Sequence, residues 1–349
     1  MRAPRYDHLL RLTTATGLWE HALLTEPRTE HGMCVDDVAR ALVVAVRADD
    51  PPAAVGVMAR THLAFLLDAQ GEGRRDGRLH NRRHADGRWL DEASTDDHWG
   101  RALWAFGTAV AHSPDDAVVT GARLGADDAM QARSPHPRAM AYAALGAALL
   151  LEASPGDRAA RRLLDDARLV LSPEGAPTPT AARWSWPEER LTYANAVLPE
   201  AMIAVGCALH DADLRRDGLL LLGWLEDEQT VDGHLSLVPA GGRSPGDARP
   251  GFDQQPIEAA ALAEAARTAW SATRDRRWAD LLASCVSWFE GANDAGLPLR
   301  DPATGGCCDG LEDGAVNLNQ GAESTLAWLA TEQLARGIAA DAVPAGAGL

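Results

Sequence analysis

Six segments of the 349-residue chain repeat one local pattern, a charged residue followed by Ala or another small residue and then an apolar run. They read DDVARALVVAV, DDHWGRALWAFG, HPRAMAYAALG, NAVLPEAMIAVG, DQQPIEAAALAEAA and NQGAESTLAWLA. Aligned on that charge, Arg40, Arg101, Arg138, Glu200, Glu258 and Glu323 are equivalent, and each interval between them leaves room for a second helix and its loops.

The second helices are visible in the intervals, over about 53–69, 115–132, 157–171, 211–227 and 275–291, with a first one over about 7–24. In DRRWADLLASCVSWFE the apolar Trp278, Leu281, Leu282, Cys285 and Trp288 recur at helical spacing, while Asp275, Arg276 and Asp280 fall on the other face. Such one-sided helices belong outside. The repeated segments are apolar around most of their circumference and belong inside. Six such pairs predict an all-α fold, an (α/α)6 toroid of six helical hairpins with parallel inner helices around a funnel. An open solenoid is the alternative, but solenoid repeats keep more uniform lengths and shorter connections. Strand signals are local, in GRLHNRRHADGRWLDE and DGHLSLVP, and predict small hairpins on one rim. The toroid is expected to be one domain over 1–336, with 337–349, small and Pro-containing, as a disordered tail.

Charge narrows the partners. Fifty acidic residues against 33 basic ones give a formal net charge of -17, which opposes nucleic acid and anionic lipid. All the basic residues are Arg, so lysine Schiff-base chemistry is excluded. No stretch has the length of a signal peptide's apolar region or of a membrane span, and a cytoplasmic location is expected. The five cysteines show no zinc-site spacing and no calcium-loop pattern occurs, so neither metal nor cofactor is expected.

The aligned ring of three Arg and three Glu is expected to neutralise itself, because unpaired buried charges cost several kcal/mol each. One turn earlier, at the inner-helix starts, lie Asp36 and Asp37, Asp96, Asp97 and His98, His136, Asn195, Asp253 with Gln254 and Gln255, and Asn319 with Gln320. An Asp at a helix start is commonly a cap. The collection goes further, since loops add Glu188, Asp309, Trp186 and Tyr193, and Trp99 follows His98. Carboxylates, amides and aromatic rings together suit the hydroxyls and C–H faces of a pyranose. For any single Trp, packing is the competing explanation.

The segments HGMCVDDVARAL, STDDHWGRALWAFG, WSWPEERLTYANAVLPEAM, GFDQQPIEAAA and CCDGLEDGAVNLNQGAESTLAWLA resemble a bacterial helical-domain family of the six-hairpin glycosidase superfamily. Some members form the tail of proteins described as glycosyltransferases. The resemblance spans His31 to Ala330 and implies the (α/α)6 fold, a carbohydrate substrate and a glycosyltransferase as partner. The family pattern leads one to expect an acid before Asn195, where this chain has Ala194.

The expected function is an inverting glycoside hydrolase acting on an oligosaccharide or glycoconjugate. Glu188, ringed by the tryptophans of WSWPEER, is the expected general acid, and Asp37 or Asp97 the base. Substrate contacts are expected from Asp36, His98, Trp99, Trp186, Tyr193, Asn195, Asp253, Gln254, Gln255, Asp309, Asn319 and Gln320. Two alternatives are a sugar epimerase, which would need a His base pair in the funnel, and a non-catalytic glycan-binding module. Terpene cyclisation, suggested by the paired aspartates, is disfavoured by only four Phe and three Tyr.

Overall fold

A computed structural model describes residues 3–71, 73, 76–172 and 184–341. In chain order the helices are α1 (Asp7–Leu12), α2 (Val35–Val46), α3 (Ala53–Ala69), α4 (Asp97–His112), α5 (Asp116–Ala129), α6 (Pro137–Ala153), α7 (Arg158–Leu171), α8 (Val197–Ala208), α9 (Ala212–Glu228), α10 (Pro256–Thr273), α11 (Arg276–Phe289) and α12 (Ala322–Asp341). Each even-numbered helix packs on the next, and α12 packs back on α2, so the ring closes. Helices α3, α5, α7, α9 and α11 lie on the even-numbered helix preceding each, and α1 fills the sixth outer place against α12.

The sequence patterns act as expected. All of α2 except Asp36 is buried, whereas α7 buries a single stripe of Ala160, Leu163, Leu164 and Ala167. Asp115, Asp157, Asp211 and Asp275 each cap an outer helix by accepting from a backbone N–H one to two residues into it. Pro137 and Pro256 start inner helices, where their missing N–H costs nothing.

The first outer helix ends at Leu12 rather than near residue 24. Thr13 and Thr14 divert the chain: the Thr13 hydroxyl bonds back to the Leu9 carbonyl, and Thr14 closes a turn on Gly17. At the other end α12 runs to Asp341, so 337–341 belong to the toroid wall, and the remainder of the expected tail lies outside the described residues. The Asp232-Gly233 turn joins Thr230–Val231 to His234–Leu235 as expected. In GRLHNRRHADGRWLDE the strand Arg82–Arg83 pairs with the distant Met33–Cys34, and two further ribbons, Ala22–Leu23 with Glu26–Pro27 and Leu311–Glu312 with Ala315–Val316, were not expected, being too short to show alternation.

Helices α4 and α6 approach with backbone in contact. A Cβ at Gly107 would strike the carbonyl of Gly146, one at Gly146 the carbonyl of Leu103, and one at Gly100 the carbonyl of Ala139. Since backbone, not a flexible side chain, lies in the way, Gly146→Ala should cost about 2–3 kcal/mol through forced separation of the two helices. A urea titration reads this directly, and an unchanged midpoint would mean that the crossing is looser than described.

Candidate functional site

The starts of the inner helices behave unlike those of the outer ones. At α2, α4, α6, α8 and α10 no side chain caps the helix. Asp36, Asp37 and Asp97, which would be caps on the simplest view, turn instead toward arginines. Arg40 donates to Asp37 at 2.8 Å and pairs with Glu323 of α12, also at 2.8 Å. Arg101 binds Asp36 of the neighbouring α2 and lies 3.6 Å from Asp97. Arg138 grips both oxygens of Glu188 at 2.8 Å and donates to the Tyr193 carbonyl.

This corrects the expectation of a self-neutralising ring. Of the six aligned charges only Arg40 and Glu323 pair with each other. Glu200 accepts from Thr268 and lies against Glu264, which Arg47 holds at 2.6 Å, while Glu258 accepts from the Asn195 amide at 2.8 Å and from the Ala194 backbone. Long Arg side chains reach the nearest carboxylate one turn up rather than one across the funnel. The two layers of charge are therefore interlocked.

The environments push the carboxyls apart. Burial alone would raise Asp36, but Arg101 and Arg40 overcome it and hold the carboxyl below its ordinary value. Glu188 is lowered too: burial is outweighed by the Arg138 fork and the Trp186 indole, which donates to Oε2 at 3.1 Å. The expected apolar ring around Glu188 thus contains a cation that the local sequence conceals. Asp37 is pushed to about 7, chiefly by burial, against Arg40 and with help from Glu323 and Glu20. Burial takes Glu258 to about 7 despite its donors, and Asp253 to about 6, aided by Glu312 and Asp309.

Several expected contact residues do not face the mouth. Trp99 is fully buried and donates to the Ala129 carbonyl at the end of α5. Trp186 is buried against Trp224. Gln254 is buried among Leu237, Gly251 and Asp294, and Gln320 turns toward Gly306 and α1, its carbonyl bonded to His8. His98 is buried with Nε2 on the Leu79 carbonyl. Asn195 is fully buried, accepting from Thr192 N and Arg138 and donating to Glu258, so it joins α6 to α10. Asp37 also has both oxygens occupied, by Arg40 and by the Cys34 thiol at 3.2 Å. Burial, with Asp37 and Asp36 beside it, raises that thiol well above its ordinary value.

Asp36 and Asp97 line a cleft of about 280 Å3 with Asn81, Asp91 and Ser94. Tyr193, 45% exposed, covers Arg138 with its ring, 4.9 Å to centroid, and its hydroxyl lies near Asp97; burial and that carboxylate push the phenol to about 12. Gln255 is half-buried at the start of α10, beyond Asp253. On the α12 side, Asn319 donates to Asp309 at 3.0 Å and lies 2.9 Å from His21 Nδ1. His21 and His31 meet edge to face with centroids 4.7 Å apart, a pair the sequence reading missed. Asn81, which donates to Asp36 at 3.0 Å, was missed as well, because the register of a loop ribbon decides which side chain reaches the rim.

The raised carboxyls set a pH dependence of stability. Asp37 and Glu258 hold protons in the folded state that an unfolded chain, with carboxyls near 4, has lost. Between about pH 4 and 7 the folded state binds more protons, so this stabilisation is complete below pH 4 and lost as pH rises through 7. The buried His62, and His8 and His112 with it, are lowered by burial and act in the opposite sense, so the comparison that isolates the carboxyl is Glu258→Gln against the parent: the change in thermal midpoint from pH 5.5 to pH 8 should be more favourable in the variant. The same pH dependence in Glu258→Gln and the parent would contradict the burial of that carboxyl.

No family model and no curated protein matches the chain. Solved structures do. A sugar epimerase from a ruminal bacterium is 14% identical with a TM-score of 0.68, covering 95% of this chain and 95% of that one. The cellobiose 2-epimerase of Spirochaeta thermophila is 14% identical with a TM-score of 0.69, covering 97% and 94%. An α-1,6-mannanase of Salegentibacter is 10% identical with a TM-score of 0.63, covering 94% and 95%. The six-hairpin (α/α)6 toroid that these proteins share, and that the resemblance to the six-hairpin glycosidase superfamily led one to expect, is the fold of this chain.

Proposed function

We propose that the chain is a glycoside hydrolase of the inverting type acting at the toroid mouth on an oligosaccharide or glycoconjugate. The observation that carries this reading is a pair of rim carboxyls on opposite sides of the ring, one of them pushed up by burial. Asp253, at the start of α10, is pushed to about 6 and is part-exposed. Asp97, on α4, is held by Arg101, and α4 and α10 stand three places apart in the six-helix ring. Inversion needs such a pair, with room for water between.

In the proposed reaction Asp253 donates its proton to the leaving oxygen as the bond from the anomeric carbon to that oxygen breaks. A water attacks the opposite face of the sugar, its oxygen bonding to the anomeric carbon, and Asp97 takes its proton. The products are two hydroxyl compounds, and solvent exchange restores both carboxyls. Glu188, ionised and fixed on Arg138, is unsuited to donate a proton; it orients that arginine and the Tyr193 platform instead. Asp37, occupied on both oxygens, anchors Arg40. The support from structural neighbours is general: one of the proteins sharing this fold is a mannanase.

A second reading, sugar epimerisation, is favoured by the His21–His31 pair beside Asn319, and two neighbours of the same fold are epimerases. Incubation with a panel of aryl glycosides and reducing oligosaccharides in D2O separates the readings. Hydrolysis releases aglycone or reducing sugar of inverted anomeric configuration with no deuterium on carbon, whereas epimerisation gives isomers carrying deuterium at C2. Binding without turnover would overturn both.

A further inference from the structure

Four of the described arginines around the mouth share a second property. Arg40 serves Asp37 and Glu323, Arg101 serves Asp36 and Asp97, Arg138 is forked on Glu188, and Arg82 binds Glu20 at 2.7 Å. Each of these four guanidinium groups is committed to a carboxylate of the protein itself. The cleft beside Asp97 presents Asp36, Asp91, Glu92 and Asp96 against Arg82, and at the start of α10, three places around the ring, Asp253 stands near Glu312 and Asp309.

An anionic substituent on a sugar is bound by freely available Arg or Lys, and the chain contains no Lys. Entering this cleft, a carboxylate, sulfate or phosphate would meet several carboxylates and, at any of these four arginines, would have to break an existing ion pair to gain a cation. We infer that the mouth selects a sugar unit lacking any anionic substituent, neutral or amine-bearing, and turns away uronates and sulfated or phosphorylated sugars. This rests on the carbohydrate reading but not on hydrolysis as the reaction.

The test compares matched aryl glycosides, each a hexoside, its 2-amino-2-deoxy form and the corresponding uronide, by turnover and by calorimetric binding. The hexoside or the amino sugar should exceed the uronide by about tenfold or more, because juxtaposed like charges oppose binding. Glu92 is exposed, lines the cleft and has no part in the proposed chemistry, so Glu92→Arg supplies an uncommitted cation and should narrow that ratio several-fold. A uronide handled as well as or better than its hexoside overturns the inference while leaving the carbohydrate reading in place. Silence toward every sugar, by turnover and by binding, overturns both.

Discussion

Asp253→Asn and Asp97→Asn should each lower glycoside turnover by about 10²–10⁴-fold while leaving the thermal midpoint near that of the parent, since each removes one proton-transfer partner. The pH profile distinguishes their roles. A general acid pushed to about 6 must be protonated to act, so parental activity should fall as pH rises above 6, and that limb should vanish in Asp253→Asn. Glu188→Gln separates this account from the one suggested by the local sequence. Because Arg138 and Trp186 hold Glu188 ionised, the substitution should weaken substrate binding and stability without removing the same limb. Loss of the limb in Glu188→Gln, with its retention in Asp253→Asn, would reverse the two assignments.

At pH 8, above the value to which Asp37 is pushed, Arg40→Met should be the most destabilising of the charge substitutions, by about 3–5 kcal/mol in urea denaturation, because it strands a buried carboxylate. Asp37 is only 4% exposed, keeps no other cation at hydrogen-bond distance, and stands near Glu20 and Glu323. Adding Asp37→Asn should recover part of the loss, since the double variant no longer buries an unpaired charge. Arg138→Met should cost less. Its partner Glu188 is 34% exposed and can regain water when the guanidinium is gone. Equal costs for the two variants would mean that the burial difference between these carboxylates does not govern their energetics.

The toroid was legible because closure and ring order follow from where apolar residues recur, a property each helix carries locally. Which residues reach the mouth was not, because successive helical residues differ by about 100° in direction. Asp97 faces Arg101 and the cleft, while Trp99, two positions on, points outward to the end of α5 and is lost in the core. Glu188 shows the other limit. Its near neighbours in sequence are tryptophans, but the group that sets its charge, Arg138, arrives from a different helix. The likeness of Asp36 and Asp37 to caps was likewise resolved only by the arginines facing them, whereas the outer aspartates proved to be caps. Ala194, where the family pattern leads one to expect an acid, is fully buried and contributes its backbone N–H to Glu258, so its side chain faces no substrate.

The most direct test is the crystal structure of Asp253→Asn soaked with an oligosaccharide that the parent turns over. The account predicts a pyranose in the mouth, its glycosidic oxygen within hydrogen-bond reach of residue 253, and a water between its anomeric carbon and Asp97, with the two side chains about 6.5–9.5 Å apart. A sugar bracketed by other carboxyls, or bound with its anomeric carbon facing the His21–His31 pair, would contradict it.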